Sequence, residues 1–347
     1  MERALRALGV RPVRPVGTAQ RLARVVGGGL CVLALAGAPW AQGAVPKDTL
    51  PASFSRSVPL GLPTSLTERW GSDEEAQLGR RLFFDPVLSA DRSVACASCH
   101  DPAFGFGDSR AHSLGVGGQA TPRNSPTLIN RVLGESFMWD GRMATLEEQV
   151  VEPIQNPTEM ALPLADAIER LRSDAAYVTE FERAFGEPPG EAVLARALAG
   201  FVRRIVRGES RVDRFQQGDF DVLTPEERGG LWFFESRGGC WRCHSGPNFS
   251  DESFHNTGVG VVSGNPEPGR FAVTGSDEDR GAFKTPTLRG LAETAPYMHD
   301  GSLGTLREVV EFYRRGGEGN PHLDAFMGPL EMSDRDAENL VAFLEAL

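Results

Sequence analysis

Apolar residues recur at three- and four-residue steps over residues 165–185 and 191–206, the spacing of a helix with one buried face. Five polar tetrads announce further helix starts: Ser72-x-x-Glu75, Thr145-x-x-Glu148, Thr224-Pro225-Glu226-Glu227, Thr305-x-x-Glu308 and Ser333-x-x-Asp336. In each, a hydroxyl can accept from the N–H three residues on, and the carboxylate can accept from the hydroxyl residue's own N–H. Behind two of them stand similar apolar runs, Leu82-Phe83-Phe84 and Leu231-Trp232-Phe233-Phe234. Period-two alternation is sparse, so the expected fold is mainly α. Residues 257–282, rich in Gly, Pro and Asp, read as a long loop, and the Pro- and Ser-rich stretch 45–70 as an extended arm.

Composition adds three constraints. At 347 residues the chain has room for two domains. Its net charge of −11 makes it a poor nucleic-acid binder and a surface suited to basic partners. Six arginines precede an apolar run over 25–38, which reads as a cleavable secretory signal (residues 1–44) with cleavage after Gly43 or Ala44. That run is too short to span a membrane comfortably, so a periplasmic protein without a stable anchor is expected.

Apart from Cys31 in this leader, every cysteine falls in a Cys-x-x-Cys-His pentapeptide: Cys96, Cys99 and His100, then Cys240, Cys243 and His244. This is the attachment pattern of c-type haem, two thiols for the vinyl groups and an adjacent imidazole for the iron. A four-cysteine zinc site or a redox dithiol would not require a His after each second Cys. Two covalently bound c-type haems are therefore expected.

The motifs belong to a longer repeat. Pro126-Thr127-Leu128 stands before Trp139-Asp140-Gly141 as Pro286-Thr287-Leu288 stands before His299-Asp300-Gly301, and a Thr-capped helix follows each. Two duplicated cytochrome-c-like haem domains, 71–215 and 216–347, follow, the second with the longer loop. The copies differ where a sixth iron ligand is usually supplied: Pro153 in one, Tyr313 in the other. Tyr can ligate haem iron and Pro cannot, so the repeat suggests an open first haem and a Tyr313-closed second one. Met298, Met327 and Met332 are the competing ligands. His299 reads as a satisfied core residue, and His112, His255 and His322 stay unassigned.

Leu78-Gly79-Arg80-Arg81-Leu82-Phe83-Phe84-Asp85, both haem motifs, Arg123-Asn124-Ser125-Pro126-Thr127, Trp139-Asp140-Gly141-Arg142 and Ala295-Pro296-Tyr297-Met298-His299-Asp300-Gly301 together resemble the bacterial di-haem cytochrome c peroxidase and MauG family. The resemblance covers about residues 70–347. It implies hydrogen peroxide as oxidant, Trp139 between the haems, and Gln149 and Glu159 on the open face of haem one. Glu159 would be the acid–base group for peroxide, with a carboxyl pKa tuned by a partly dry pocket. It also implies one calcium ion held by Asn124 and the carbonyls of Thr294 and Pro296, oxygen ligands of the type calcium takes.

Ordinary peroxidases of the family carry a distal His where this chain has Val116, with His112 four residues away, and a Met where it has Tyr313. Both changes resemble the MauG branch. That branch has a Trp two residues before its second haem motif, where this chain has Gly238, so the same protein substrate is not implied, and Trp241 or Trp232 could pass charge instead. Three functions follow: a periplasmic peroxidase fed by a small cytochrome c or copper protein, an enzyme oxidising aromatic side chains of a protein substrate, or a di-haem electron carrier without chemistry.

Overall fold

A computed structural model describes residues 57–347; the signal segment 1–44, Cys31 and residues 45–56 of the arm lie outside the described residues. The described chain is mainly helical. Its helices are α1 (Asp73–Phe84), α2 (Leu146–Gln155), α3 (Leu164–Arg172), α4 (Ala175–Phe185), α5 (Glu191–Val202), α6 (Arg211–Gln216), α7 (Pro225–Glu235), the single turn α8 (Phe271–Thr274), α9 (Leu306–Arg314) and α10 (Asp334–Glu345). Two-residue strands, β1 (Phe254–His255) and β2 (Phe283–Lys284), pair antiparallel, Phe254 opposite Lys284.

The capping tetrads do what their chemistry requires. Thr145, Thr224, Thr305 and Ser333 each make the reciprocal pair of bonds at the starts of α2, α7, α9 and α10. At α1 the Ser72 hydroxyl accepts from the Glu75 N–H, while the Glu75 carboxylate pairs with Arg196 at 2.6 Å. Three expectations need correction. The 165–185 segment is two helices, because Asp174 accepts from the Ala176 N–H and starts α4 afresh. Helix α5 stops at Val202 rather than running to 206. The described end of the arm is not extended: residues 64–69 form a 3₁₀ helix, and Leu62, Leu66 and Trp70 bury against Val132.

Two apolar cores organise the helices. One gathers residues of α1–α5, among them Leu82, Phe83, Ile154, Leu194 and Phe201. The other gathers α7, α9 and α10, with Phe233, Phe234, Val310 and Phe343, and begins with Val212 on α6, ahead of the expected division at 215/216. In each core one helix pair closes on a glycine. A Cβ on Gly79 of α1 would lie 1.8 Å from the Ala197 carbonyl oxygen of α5; one on Gly230 of α7 would lie 2.0 Å from that of Asn339 on α10.

Between the cores, two main-chain hydrogen bonds cross in opposite senses. Asn124 N–H donates to the His299 carbonyl (2.8 Å), and Lys284 N–H donates to the Trp139 carbonyl (2.9 Å). The turns around Trp139 and His299 share their build. Phe137 bridges Met143 as Tyr297 bridges Leu303, and Met138 and Met298 both have positive φ. The buried ion pair of Arg289 with Asp213, at 2.7 Å, ties α6 to the stretch after β2.

Candidate functional site: two haem-fitting cavities

A single 3₁₀ turn follows each first motif cysteine. It lets His100 N–H donate to the Cys96 carbonyl (3.0 Å) and His244 N–H to that of Cys240 (2.9 Å). The turn places both thiols and the imidazole of each motif in the wall of one cavity. Cys96, Cys99 and His100 line a cavity of about 220 Å³ with Gln149, Pro153 and Glu159. Cys240, Cys243 and His244 line another, of about 250 Å³, with Tyr313, Met298, Met327 and Met332.

The donor set fits c-type haem in both. His100 Nδ1 lies 3.1 Å from the Phe106 carbonyl and His244 Nδ1 lies 2.9 Å from that of Phe249. A carbonyl only accepts, so each Nδ1 carries the proton and Nε2 keeps its lone pair for a metal. Burial holds both imidazoles below their ordinary pKa, which favours the neutral, ligating form. All four thiols are free. Burial pushes Cys96 up to about 12 and Cys99 and Cys240 to about 11. A redox dithiol needs the opposite shift. A four-cysteine zinc site is also excluded, since the pairs line different cavities. Cys243, Asp251 and His255 do bring donor atoms within 4.8 Å of one another. However, His255 is already held between Asp324 (2.6 Å) and Asp251 (3.0 Å).

In the first cavity, burial and then the neighbouring Glu152 carboxylate push Glu159 up to about 7, against the pull of Arg142 and Asn156. Asn156 Nδ2 donates to Glu159 Oε1 at 2.8 Å. The 113–121 loop fastens the turn from outside: Val116 N–H donates to the Glu159 carbonyl (2.7 Å), and a Cβ on Gly115 would sit 2.2 Å from the Thr158 oxygen. His112 is exposed and is not in the cavity wall. Gln149 and Pro153 share the cavity face of α2.

In the second cavity, Tyr313 projects from α9, whose Leu306 and Val310 are in the core. Burial, then the nearby cysteines, raise its phenol pKa. Trp139 lines both cavities, and its indole N–H donates to the Asn124 carbonyl at 2.8 Å. His299 is not the satisfied core histidine expected. It stacks on Phe283 (3.6 Å, 14°) and meets the Trp139 ring edge-on at 6.3 Å. Its buried Nε2 lies 3.0 Å from Glu267 Oε2 but outside hydrogen-bond alignment.

Asn124, Thr294 and Pro296 line the second cavity together. Asn124 donates through Nδ2 to the Arg110 (3.1 Å) and Ala111 (3.3 Å) carbonyls, so its Oδ1 is turned to other partners. Trp232 and Trp241 are exposed. At Gly238 a Cβ would lie 2.7 Å from the Phe233 ring and 2.8 Å from its carbonyl, so no larger residue fits this backbone.

Sequence reasoning missed several residues of the walls. Arg142 pairs with Asp140 (3.1 Å) and Glu152 (3.3 Å); its place directly after Trp139-Asp140-Gly141 was the available signal. Lys284 lines both cavities, donates to the Ser136 carbonyl (2.7 Å), and is pushed by burial and Arg131 down to about 7; no sequence signal marked it.

Two cavities, each with a Cys-x-x-Cys-His wall, in a helical chain are the arrangement of a di-haem protein. The di-haem cytochrome c peroxidase family model matches residues 73–221. The chain is 40% identical to the methylamine utilization protein MauG of Methylorubrum extorquens, over 97% of this chain and 96% of that one. It is 35% identical to a cytochrome c551 peroxidase of Pseudomonas aeruginosa, covering 82% and 83%. A crystal structure of a MauG-like protein associated with microbial copper homeostasis superposes with a TM-score of 0.76 at 32% identity, covering 86% and 94%. The chain belongs to the di-haem cytochrome c peroxidase and MauG family.

Proposed function

We propose that this protein is a periplasmic MauG-like di-haem oxidoreductase that reduces hydrogen peroxide, built from two duplicated cytochrome-c-like halves. The observation that carries this reading is the asymmetry of the cavities: Glu159, Gln149 and Pro153 face His100's cavity, while Tyr313 faces that of His244. Duplication is supported by the paired turns and the reciprocal main-chain bonds.

Cys96, Cys99 and His100 would hold one haem, and Cys240, Cys243, His244 and Tyr313 the other. When bound, the haems supply the redox chemistry: peroxide takes up two electrons and two protons to give two waters, and an outside donor returns the electrons. The protein's residues do the rest. Pro153 offers no ligand atom and so leaves room for peroxide. Gln149 orients it. Glu159, raised to about 7, takes a proton from one peroxide oxygen and gives it to the other. Trp139 carries charge between the sites, and Asn124, Thr294 and Pro296 hold calcium where the halves meet.

The test is mass and ligand binding. The mature protein should carry the mass of two haems, and cyanide should bind one iron without prior reduction of the other. The mass of one haem would overturn the di-haem reading, and two irons closed to cyanide would leave only a di-haem electron carrier.

A further inference from the structure

Pro286 stands 42 residues after His244 where Pro126 stands 26 after His100; residues 257–282 lie in that longer connection, and nothing above gives them a role. They reach the turn that carries Trp139. Arg270 donates to the carbonyls of Asp140 (2.9 Å) and Gly141 (2.7 Å), the two residues after Trp139. Glu267 accepts from Arg123 (3.3 Å), and Arg123 holds the Asp140 carboxylate at 2.8 Å. The contact is close-packed. Gly141 has φ +67°, and a Cβ there would lie 2.2 Å from the Phe254 ring and 2.8 Å from the Arg270 guanidinium. That guanidinium in turn lies over the Phe254 ring at 4.4 Å. The matching glycine of the other turn, Gly301, is met instead by the backbone of Ala111.

We propose that residues 257–282 are a clasp, with Arg270 and Glu267 as positioning residues that hold Trp139 where it lines both cavities. This rests on the reading of Trp139 as the path for charge. One electron crossing from the Tyr313 side to the His100 side leaves the Tyr313 side oxidised by one and the His100 side reduced by one, and Trp139 is regenerated. Such a crossing depends steeply on where the bridging ring sits, and a displacement of about 1 Å costs on the order of 10- to 100-fold in a position-dependent step. Arg270 bonds to carbonyls of the peptide chain, so it fixes the backbone under the ring.

The test uses the two-haem protein. In stopped flow, peroxide should produce a fast spectral phase at haem one and a second at haem two. Arg270→Ala should slow the second phase about tenfold, leave the first phase and cyanide affinity unchanged, and speed amide exchange in residues 137–143. Arg270→Lys, which keeps a donor, should recover part of the loss. Glu267→Gln should show a smaller slowing and serves if Arg270→Ala does not fold. In a Trp139→Phe background, Arg270→Ala should add nothing. Slowing that adds to that of Trp139→Phe would overturn the clasp. An Arg270→Ala protein with a normal second phase, where Trp139→Phe is slow, would also overturn it while leaving the Trp139 path standing. A normal second phase in Trp139→Phe would remove both.

Discussion

Helices α2 and α9 occupy matching places in the two halves. Each starts with a Thr-Glu capping box after an Asp-Gly turn, and each sends a residue into its half's cavity. On α9 that residue is Tyr313, a possible iron ligand. On α2 it is Pro153, which has none, and a turn later the chain supplies Glu159. The capped helix recurs, and the side chains it presents to the cavity differ. The lesson is that the Cys-x-x-Cys-His motifs belong to the repeated part of the sequence, and the residues proposed to set reactivity belong to the part that departs from it.

The comparison breaks most severely at Glu159. If it moves the peroxide proton, Glu159→Gln should slow peroxide activation by about 10²- to 10⁴-fold while peroxide and cyanide still bind. Unchanged single-turnover rates would remove it from the mechanism. The same residue sets a pH profile. As a base it must be ionised, so with its pKa near 7 the rate should rise about tenfold per unit below pH 7 and level above. Glu159→Gln should flatten that rise. Stability runs the other way: the folded pKa stands above the ordinary 4.5, so the folded state keeps this proton longer than the unfolded one. Glu159's contribution is full below about pH 4.5 and is lost as pH rises through 7.

Tyr313 sharpens the other side. A phenolate at the iron offsets positive charge there, whereas a thioether raises the potential. Tyr313→Met should raise the second haem's potential and shorten the life of a stored oxidising equivalent on the order of tenfold. A Met-sulfur absorption band in the unmodified protein that survives Tyr313→Phe would assign the ligand to one of the three nearby methionines instead. A smaller effect is expected from calcium removal. The Asn124 amide nitrogen is occupied by two carbonyls, which leaves Oδ1 for a cation. Chelation should alter the haem spectra reversibly, and verified metal loss without a spectral change would discard the site.

Most of this asymmetry was legible in the sequence, because attachment chemistry and capping are local. Cys-x-x-Cys-His needs one turn, and a capping box needs four residues. What could not be read is what depends on contacts between distant segments. The split between α3 and α4 follows from Asp174 competing for the Ala176 N–H within an unbroken apolar period. The buried end of the arm depends on Val132, far along the chain. Lys284 and Arg270 look like ordinary loop-edge cations until the fold brings them to Trp139.

The smallest effects test whether the halves share a scaffold. Gly79 and Gly230 each let two helices approach until a Cβ would overlap a facing carbonyl. Elsewhere in a helix, Gly→Ala gains about 0.5–1 kcal/mol from reduced backbone entropy. Gly200 on α5 is such a place, since its nearest neighbours would be 3.7 Å from a Cβ, an ordinary contact. Gly200→Ala should therefore raise the melting temperature slightly. Gly79→Ala and Gly230→Ala should lower it, by about 1–3 kcal/mol of overpacking each, because the clash is with backbone that has no rotamer to change. Gly229→Ala is the control beside Gly230: its nearest contacts are Asn339 side-chain atoms, Nδ2 at 2.5 Å and Cγ at 3.1 Å, rather than backbone, and a side chain can change rotamer. If calorimetry of the two-haem protein finds Gly79→Ala and Gly230→Ala as well tolerated as Gly200→Ala, the close helix pairs are not what the halves have in common.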